Sequence, residues 1–66
     1  MKIVVNGQER AFPVSVTVAA LLDELGMAGK RVAVEINQEI VPRSRHAEHR
    51  LQDSDRVEVV VAIGGG

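Results

Sequence analysis

The 66-residue chain contains no cysteine, no tryptophan, no tyrosine, one phenylalanine and only two prolines. Without cysteine there is no disulfide framework, no thiolate metal site, no thiol nucleophile and no side chain that can carry a persulfide. Apolar runs are short: the longest, at residues 18–22 and 59–63, fall far below the ~20 residues of a membrane span. The opening run at residues 3–5 is too short for the core of a secretion signal. Charge of one sign is also missing, since eight basic and nine acidic residues leave a formal net charge of −1, and the basic excess of a nucleic-acid-binding protein is absent. A chain of this size buries only ~60% of its unfolded surface, which leaves no room for a second domain or a deep substrate cavity. An enzyme with its own pocket is excluded on size. A soluble, cytoplasmic domain held by a small aliphatic core is the expectation, with 45% apolar and 26% charged residues.

What is present is ordered along the chain. Residues 2–5 form a β-branched run that ends at Asn6-Gly7, the dipeptide best suited to the positive φ angles of a tight hairpin turn. A second strand is predicted at residues 8–12, ended by Pro13. Val18, Leu21, Leu22 and Leu25 follow the i, i+3, i+4, i+7 spacing of one helical face, with Thr17 as N-cap and Gly26 as the residue just past the end. Val32, Val34 and Ile36 alternate with polar or small residues as in a half-buried strand, and Asn37-Gln38 turns the chain into Glu39-Ile40-Val41, closed by Pro42. Residues 44–51 are predicted as a short helical turn capped by Ser44, residues 52–55 as a turn, and residues 56–61 as the last strand.

This order of strands around one helix of about two turns favours an α+β fold, a mixed four- or five-stranded sheet with one apolar face packed on the helix. Ile3, Val5, Phe12, Val18, Leu21, Leu22, Leu25, Val32, Val34, Ile36, Leu51, Val57, Val59 and Val61 are the expected core. A hairpin, a crossover helix and a last strand returning beside the first resemble the ubiquitin-like β-grasp fold. Residues 1–63 read as one such domain and residues 64–66 as an exposed tail.

No side-chain set for catalysis stands out. No Gly-rich phosphate loop links a strand to a helix, and no recognised nucleophile motif occurs. His46 and His49 lie three apart among Arg43, Arg45, Glu48 and Arg50. A zinc ion needs three or four ligands and would find only Glu48 nearby, opposed by three arginines. These residues read as a solvated, mildly basic surface loop, with a partner-docking patch as the functional alternative. No catalytic or metal-ligating residue is assigned.

The end of the sequence is different. At a background of ~7% glycine, a terminal Gly-Gly-Gly arises by chance in well under ~0.1% of chains, yet Gly64, Gly65 and Gly66 close this one. They follow a core strand directly, and the five residues 62–66 reach up to ~16–18 Å when extended. Lacking Cβ atoms, the glycines allow another protein to enclose the backbone in a narrow channel. A carboxylate at Gly66 resists nucleophilic attack until it is activated. An ATP-dependent partner converts such a group to an acyl-adenylate, and a sulfur nucleophile, an enzyme thiol or a lysine amine then yields a thiocarboxylate, a thioester or an isopeptide. With no ATP site of its own, the chain needs that machinery in trans and binds no cofactor. Val4 and Val60, pointing away from the core on two strands expected to be neighbours, and Ile63 before the tail are candidates for a docking patch, against the ordinary occurrence of single exposed aliphatic residues.

Over its whole length the chain resembles the sulfur carrier family of thiamine biosynthesis (ThiS). The resemblance rests on Met1-Lys2-Ile3 with Asn6-Gly7, on Thr17-Val18-Ala19-Ala20-Leu21-Leu22, on residues 34–43 and on residues 51–60 leading to Ala62-Ile63-Gly64-Gly65-Gly66. It implies that Gly66 is adenylated by a ubiquitin-activating-like enzyme (ThiF-like), receives sulfur from a donor system as a thiocarboxylate, and passes it to thiazole synthase (ThiG-like), with Gly64 and Gly65 entering the partner's active site. Two features depart from the family: a third terminal glycine, and a segment at residues 44–50 unusually rich in arginine and histidine. The small subunit of molybdopterin synthase, a ubiquitin-like protein modifier and an inert β-grasp interaction domain are the alternatives.

Overall fold

A computed structural model of the chain describes residues 1–61. Five strands and one helix follow in the order β1 (Lys2–Val5), β2 (Gln8–Ala11), α1 (Val18–Glu24), β3 (Val32–Ile36), β4 (Glu39–Val41) and β5 (Arg56–Val61), with a short 3-10 turn at Arg43–Arg45 between β4 and β5. The strands lie side by side as β2-β1-β5-β3-β4. β1 and β5 are parallel, and the other pairings are antiparallel, so the last strand occupies the centre of a mixed sheet. This is the expected α+β arrangement, with the returning strand beside the first.

Alternation decides which face is covered. Ile3 and Val5, Val57 and Val59, and Val34 and Ile36 are buried from three adjacent strands, and Val18, Leu21 and Leu22 of α1 are buried with them. Leu51 closes the core from the loop before β5. Phe12, Leu25 and Val32 pack only partly buried at its margin. Two assignments differ from expectation. Val61 is 41% exposed, because it lies at the last position of β5, beyond the part of the sheet that the two-turn helix covers. Val41, absent from the expected core, is buried in the three-residue β4, too short a strand for its alternation to register.

The helix is bounded as its sequence suggests. Thr17 has extended backbone and its Oγ1 accepts from the Ala20 N–H at 3.1 Å, while Gly26 has φ +73°, where a Cβ is disfavoured. The remaining free donors of the first turn are met by an unexpected source: Val18 N–H donates to the His49 carbonyl and Ala19 N–H to the His46 carbonyl, at 2.9 and 2.8 Å. Thr17→Ala is expected to lower stability by about 1 kcal/mol, measured by urea denaturation, less than the loss of an isolated cap because these two carbonyls still hold the helix start.

Residues 44–51 do not form the predicted helical turn. The structure has the 3-10 turn Arg43–Arg45, entered from Pro42, whose side chain offers no cap, and Ser44 lies inside it rather than capping it. Proline at the entry sets the backbone without needing a donor. His46 then turns inward. It is 8% exposed, and its Nε2 lies 3.1 Å from the Val41 carbonyl, so it is an interior strut between the turn and β4 rather than part of a solvated loop. His49 is exposed, as expected.

Candidate functional site

Residues 62–66, including Ile63, Gly64, Gly65 and Gly66, lie outside the described residues. What the structure shows is how the strand leading to them is held. β5 has β1 on one side and β3 on the other, and a turn asparagine clamps it near each end.

The first clamp is Asn6. β1 ends at Val5, in register with Val57, and the chain turns away through Asn6 and Gly7, which have φ +49° and +83°. Asn6 is therefore the last residue whose backbone reaches β5, its N–H donating to the Val57 carbonyl at 2.9 Å. Beyond that point its side chain continues the ladder. Asn6 Nδ2 donates to the Val59 carbonyl at 3.2 Å, and Asn6 Oδ1 accepts from the Val59 N–H at 2.8 Å. A primary amide reproduces the donor and acceptor of a peptide group, so β5 stays paired for two residues beyond the end of its neighbour.

The second clamp is Asn37, in the turn between β3 and β4, with φ +52°. Its backbone N–H donates to the Arg56 carbonyl at 2.8 Å, and its Oδ1 accepts from the Arg56 N–H at 2.9 Å. Its Nδ2 donates to Asp55 Oδ1 at 3.0 Å, while Asp55 Oδ2 accepts from the Gln52 N–H at 2.8 Å. Asp55 is buried, with both carboxylate oxygens occupied. The turn before β5 is also sewn to β1: Lys2 N–H donates to Asp53 Oδ1 at 2.7 Å, and Ser54 N–H to the Lys2 carbonyl at 2.7 Å. The residues that precede the glycines thus leave a strand fixed from both flanks and at both ends.

The candidate docking residues fall on the uncovered face of the sheet. Val60 is 61% exposed and stands opposite Ala33 of β3. Val4 is only half-buried on the same face, and its partner on β5 is Arg56, four residues before Val60. β1 and β5 are neighbours as expected, but β1 ends before Val60, so the two valines are not adjacent. The larger exposed apolar side chain is Ile40, 71% exposed on β4 and not anticipated; the consecutive Ile40-Val41 in a strand required one of the two to face outward. Asn6 and Asn37 were read only as turn residues, and their side-chain roles had no local signal.

Among the described residues, no three His, Asp or Glu side chains are placed to hold a metal ion, and no helix is long and apolar enough to cross a membrane.

Known proteins match this arrangement over the full chain. The sulfur carrier protein ThiS of Escherichia coli is 38% identical over 66 residues, covering all of both chains. The crystal structure of a thiamine biosynthesis protein (ThiS) from Geobacter metallireducens superposes with a TM-score of 0.84 at 33% identity, again over the whole of both chains. A thiazole synthase of Paramagnetospirillum magneticum is 54% identical over 66 residues, all of this chain but 20% of that protein; a second, from Magnetococcus marinus, is 42% identical with the same coverage. The chain thus spans about a fifth of the length of these two relatives. The ThiS family model matches residues 3–66, from the second residue of β1 through the terminal glycines, and the chain belongs to the ThiS family.

Proposed function

We propose that this chain is a sulfur carrier of thiamine biosynthesis, acting through the carboxylate of Gly66 and serving as co-substrate of partner enzymes rather than as a catalyst. The observation that carries this reading is the continuous family match through residue 66, joined to a centrally placed and doubly clamped β5 that delivers the chain to those residues.

The chemistry follows from the group involved. The carboxylate attacks the α-phosphorus of ATP, supplied in trans by a ThiF-like enzyme, to give an acyl-adenylate and pyrophosphate. A sulfur donor then attacks the Gly66 carbonyl carbon; the C–S bond forms as the C–O bond to AMP breaks, and after release from the donor a thiocarboxylate remains. Gly64 and Gly65 allow the tail into a narrow active site because nothing projects from their Cα atoms. Sulfur then passes to the thiazole under a thiazole synthase, a partner supported by the relatives of that name that contain this sequence within one chain. A cytoplasmic location, with no cofactor bound to the carrier, completes the proposal.

Intact-mass measurement tests it. Incubation with ATP, a cognate adenylating enzyme and a sulfur donor is expected to add the mass difference of one oxygen replaced by sulfur, and deletion of Gly66 to abolish that increase with the melting temperature unchanged. Conjugates on other proteins would point instead to a modifier, and an unchanged mass under competent conditions to an inert domain. Deletion of the gene is expected to create a requirement for thiamine rather than a loss of molybdenum-cofactor enzymes.

A further inference from the structure

We propose that the uncovered face of the sheet docks a basic protein surface through Glu35 and Glu58, flanked by Ile40 and Val60, and that this surface belongs to the thiazole synthase. The inference rests on the carrier reading above and assigns the place on the chain where that partner binds.

The register of the sheet carries it. Glu35 of β3 and Glu58 of β5 are direct antiparallel partners, with side chains on the face away from α1, and such partners have Cβ atoms ~4.5–5.5 Å apart. Like charges held opposite each other destabilise a sheet, and nothing nearby relieves them. Among the described residues the one ion pair is Arg45–Glu48, at 3.9 Å. Lys2 and Arg56 share the glutamates' face but form an ion pair with neither. Ile40 is the partner of Glu35 on the next strand, and Val60 follows Glu58 on the same face. The two most exposed apolar side chains of the sheet therefore border the two unneutralised carboxylates. The remaining basic residues, Arg43, Arg45 and Arg50, belong to the segment packed on the start of α1, so the molecule carries its positive charge elsewhere.

This combination selects its occupant. A second copy of the chain would set four carboxylates against each other. A partner presenting arginine or lysine between small apolar contacts neutralises the glutamates and covers Ile40 and Val60 together, and complementary charge of this kind sets both encounter rate and register. The position fits the chemistry, because the face lies on the strand that runs directly into residues 62–66. A partner seated on Glu58 and Val60 holds the point from which the tail departs.

The test uses the thiazole synthase of the same organism and the double variant E35Q/E58Q. Binding by calorimetry is expected to weaken about tenfold in the variant, and its affinity to lose most of the salt dependence of the wild type. Its melting temperature is expected to rise by about 2–5 °C as the repulsion is removed, so weaker binding cannot be attributed to unfolding. Ile40→Ser is expected to weaken binding without changing the salt dependence. Equal affinity of wild type and double variant for the synthase overturns the docking assignment alone, as does a loss of affinity confined to the adenylating enzyme. Self-association in sedimentation that requires Ile40 overturns it in favour of a homodimer. A wild-type chain that does not bind the synthase but still gains sulfur in the mass measurement overturns the docking assignment and leaves the carrier reading intact.

Discussion

Replacing Asn6 by alanine is expected to lower stability by about 2–4 kcal/mol, equivalent to roughly 10–25 °C in melting temperature for a domain of this size. Three losses add. Both side-chain hydrogen bonds to Val59 disappear, at about 1 kcal/mol each. The Val59 peptide group then faces a flank where β1 has already ended, without the partner that replaced it. Alanine must also hold the positive φ that Asn6 adopts, at a further ~1 kcal/mol. A series of variants separates these contributions. Asn6→Asp keeps an acceptor for the Val59 N–H but sets a negative oxygen against the Val59 carbonyl, whereas Asn6→Gly relieves the backbone and loses both bonds. The expected order of melting temperatures is Asn, Asp, Gly, Ala. Accelerated hydrogen exchange at the Val59 amide in the glycine variant, with most of the core still protected, would identify the end of β5 as the part released. A glycine variant as stable as the wild type would mean that the side-chain clamp contributes nothing.

Leu51→Ala is expected to be as damaging, at about 3–4 kcal/mol, out of a total of about 3–10 kcal/mol for a 66-residue domain. Leu51 is 1% exposed although it lies in a loop. Its backbone is fixed at both polar groups, with its N–H donating to the Val16 carbonyl at 2.9 Å and its carbonyl accepting from Ser15 Oγ at 2.7 Å. The neighbouring backbone thus cannot collapse easily into the space left by the truncated side chain, which places the cost in the upper part of the usual range. Urea denaturation at 25 °C is expected to find the variant partly unfolded before denaturant is added. Leu51→Met, which keeps the volume, is expected to cost less than about 1.5 kcal/mol.

The comparison of these two residues explains what the sequence makes readable. Leu51 was assigned to the core because burial of a large aliphatic side chain is a local preference, and the same holds for the spacing of Val18, Leu21 and Leu22 and the alternation of Val32, Val34 and Ile36. Asn6 was recognised as a turn former, again a local property, but the bonds it makes span 53 positions and left no mark near residue 6. His46 failed for a related reason. Its arginine-rich surroundings indicate solvent, whereas its burial depends on the proline-entered turn that aims it at the Val41 carbonyl. The site shows the same division. The glycines are visible because no local structure calls for them, while the face beside them had to be read from strand register, which put Val4 next to Arg56 and left Glu35 opposite Glu58.

The central position of β5 has a mechanical consequence. A strand at a sheet edge is peeled by a pull on its end, one hydrogen bond at a time. Tension applied along the chain at Val61 instead loads β5 parallel to its own axis, between β1 and β3, so the bonds on both flanks resist in shear and share the force. The Asn6 amide lies nearest the pulled end and takes the first of it. An enzyme that grips the tail in a narrow channel can draw it taut, and release it after the reaction, while the domain behind it stays folded.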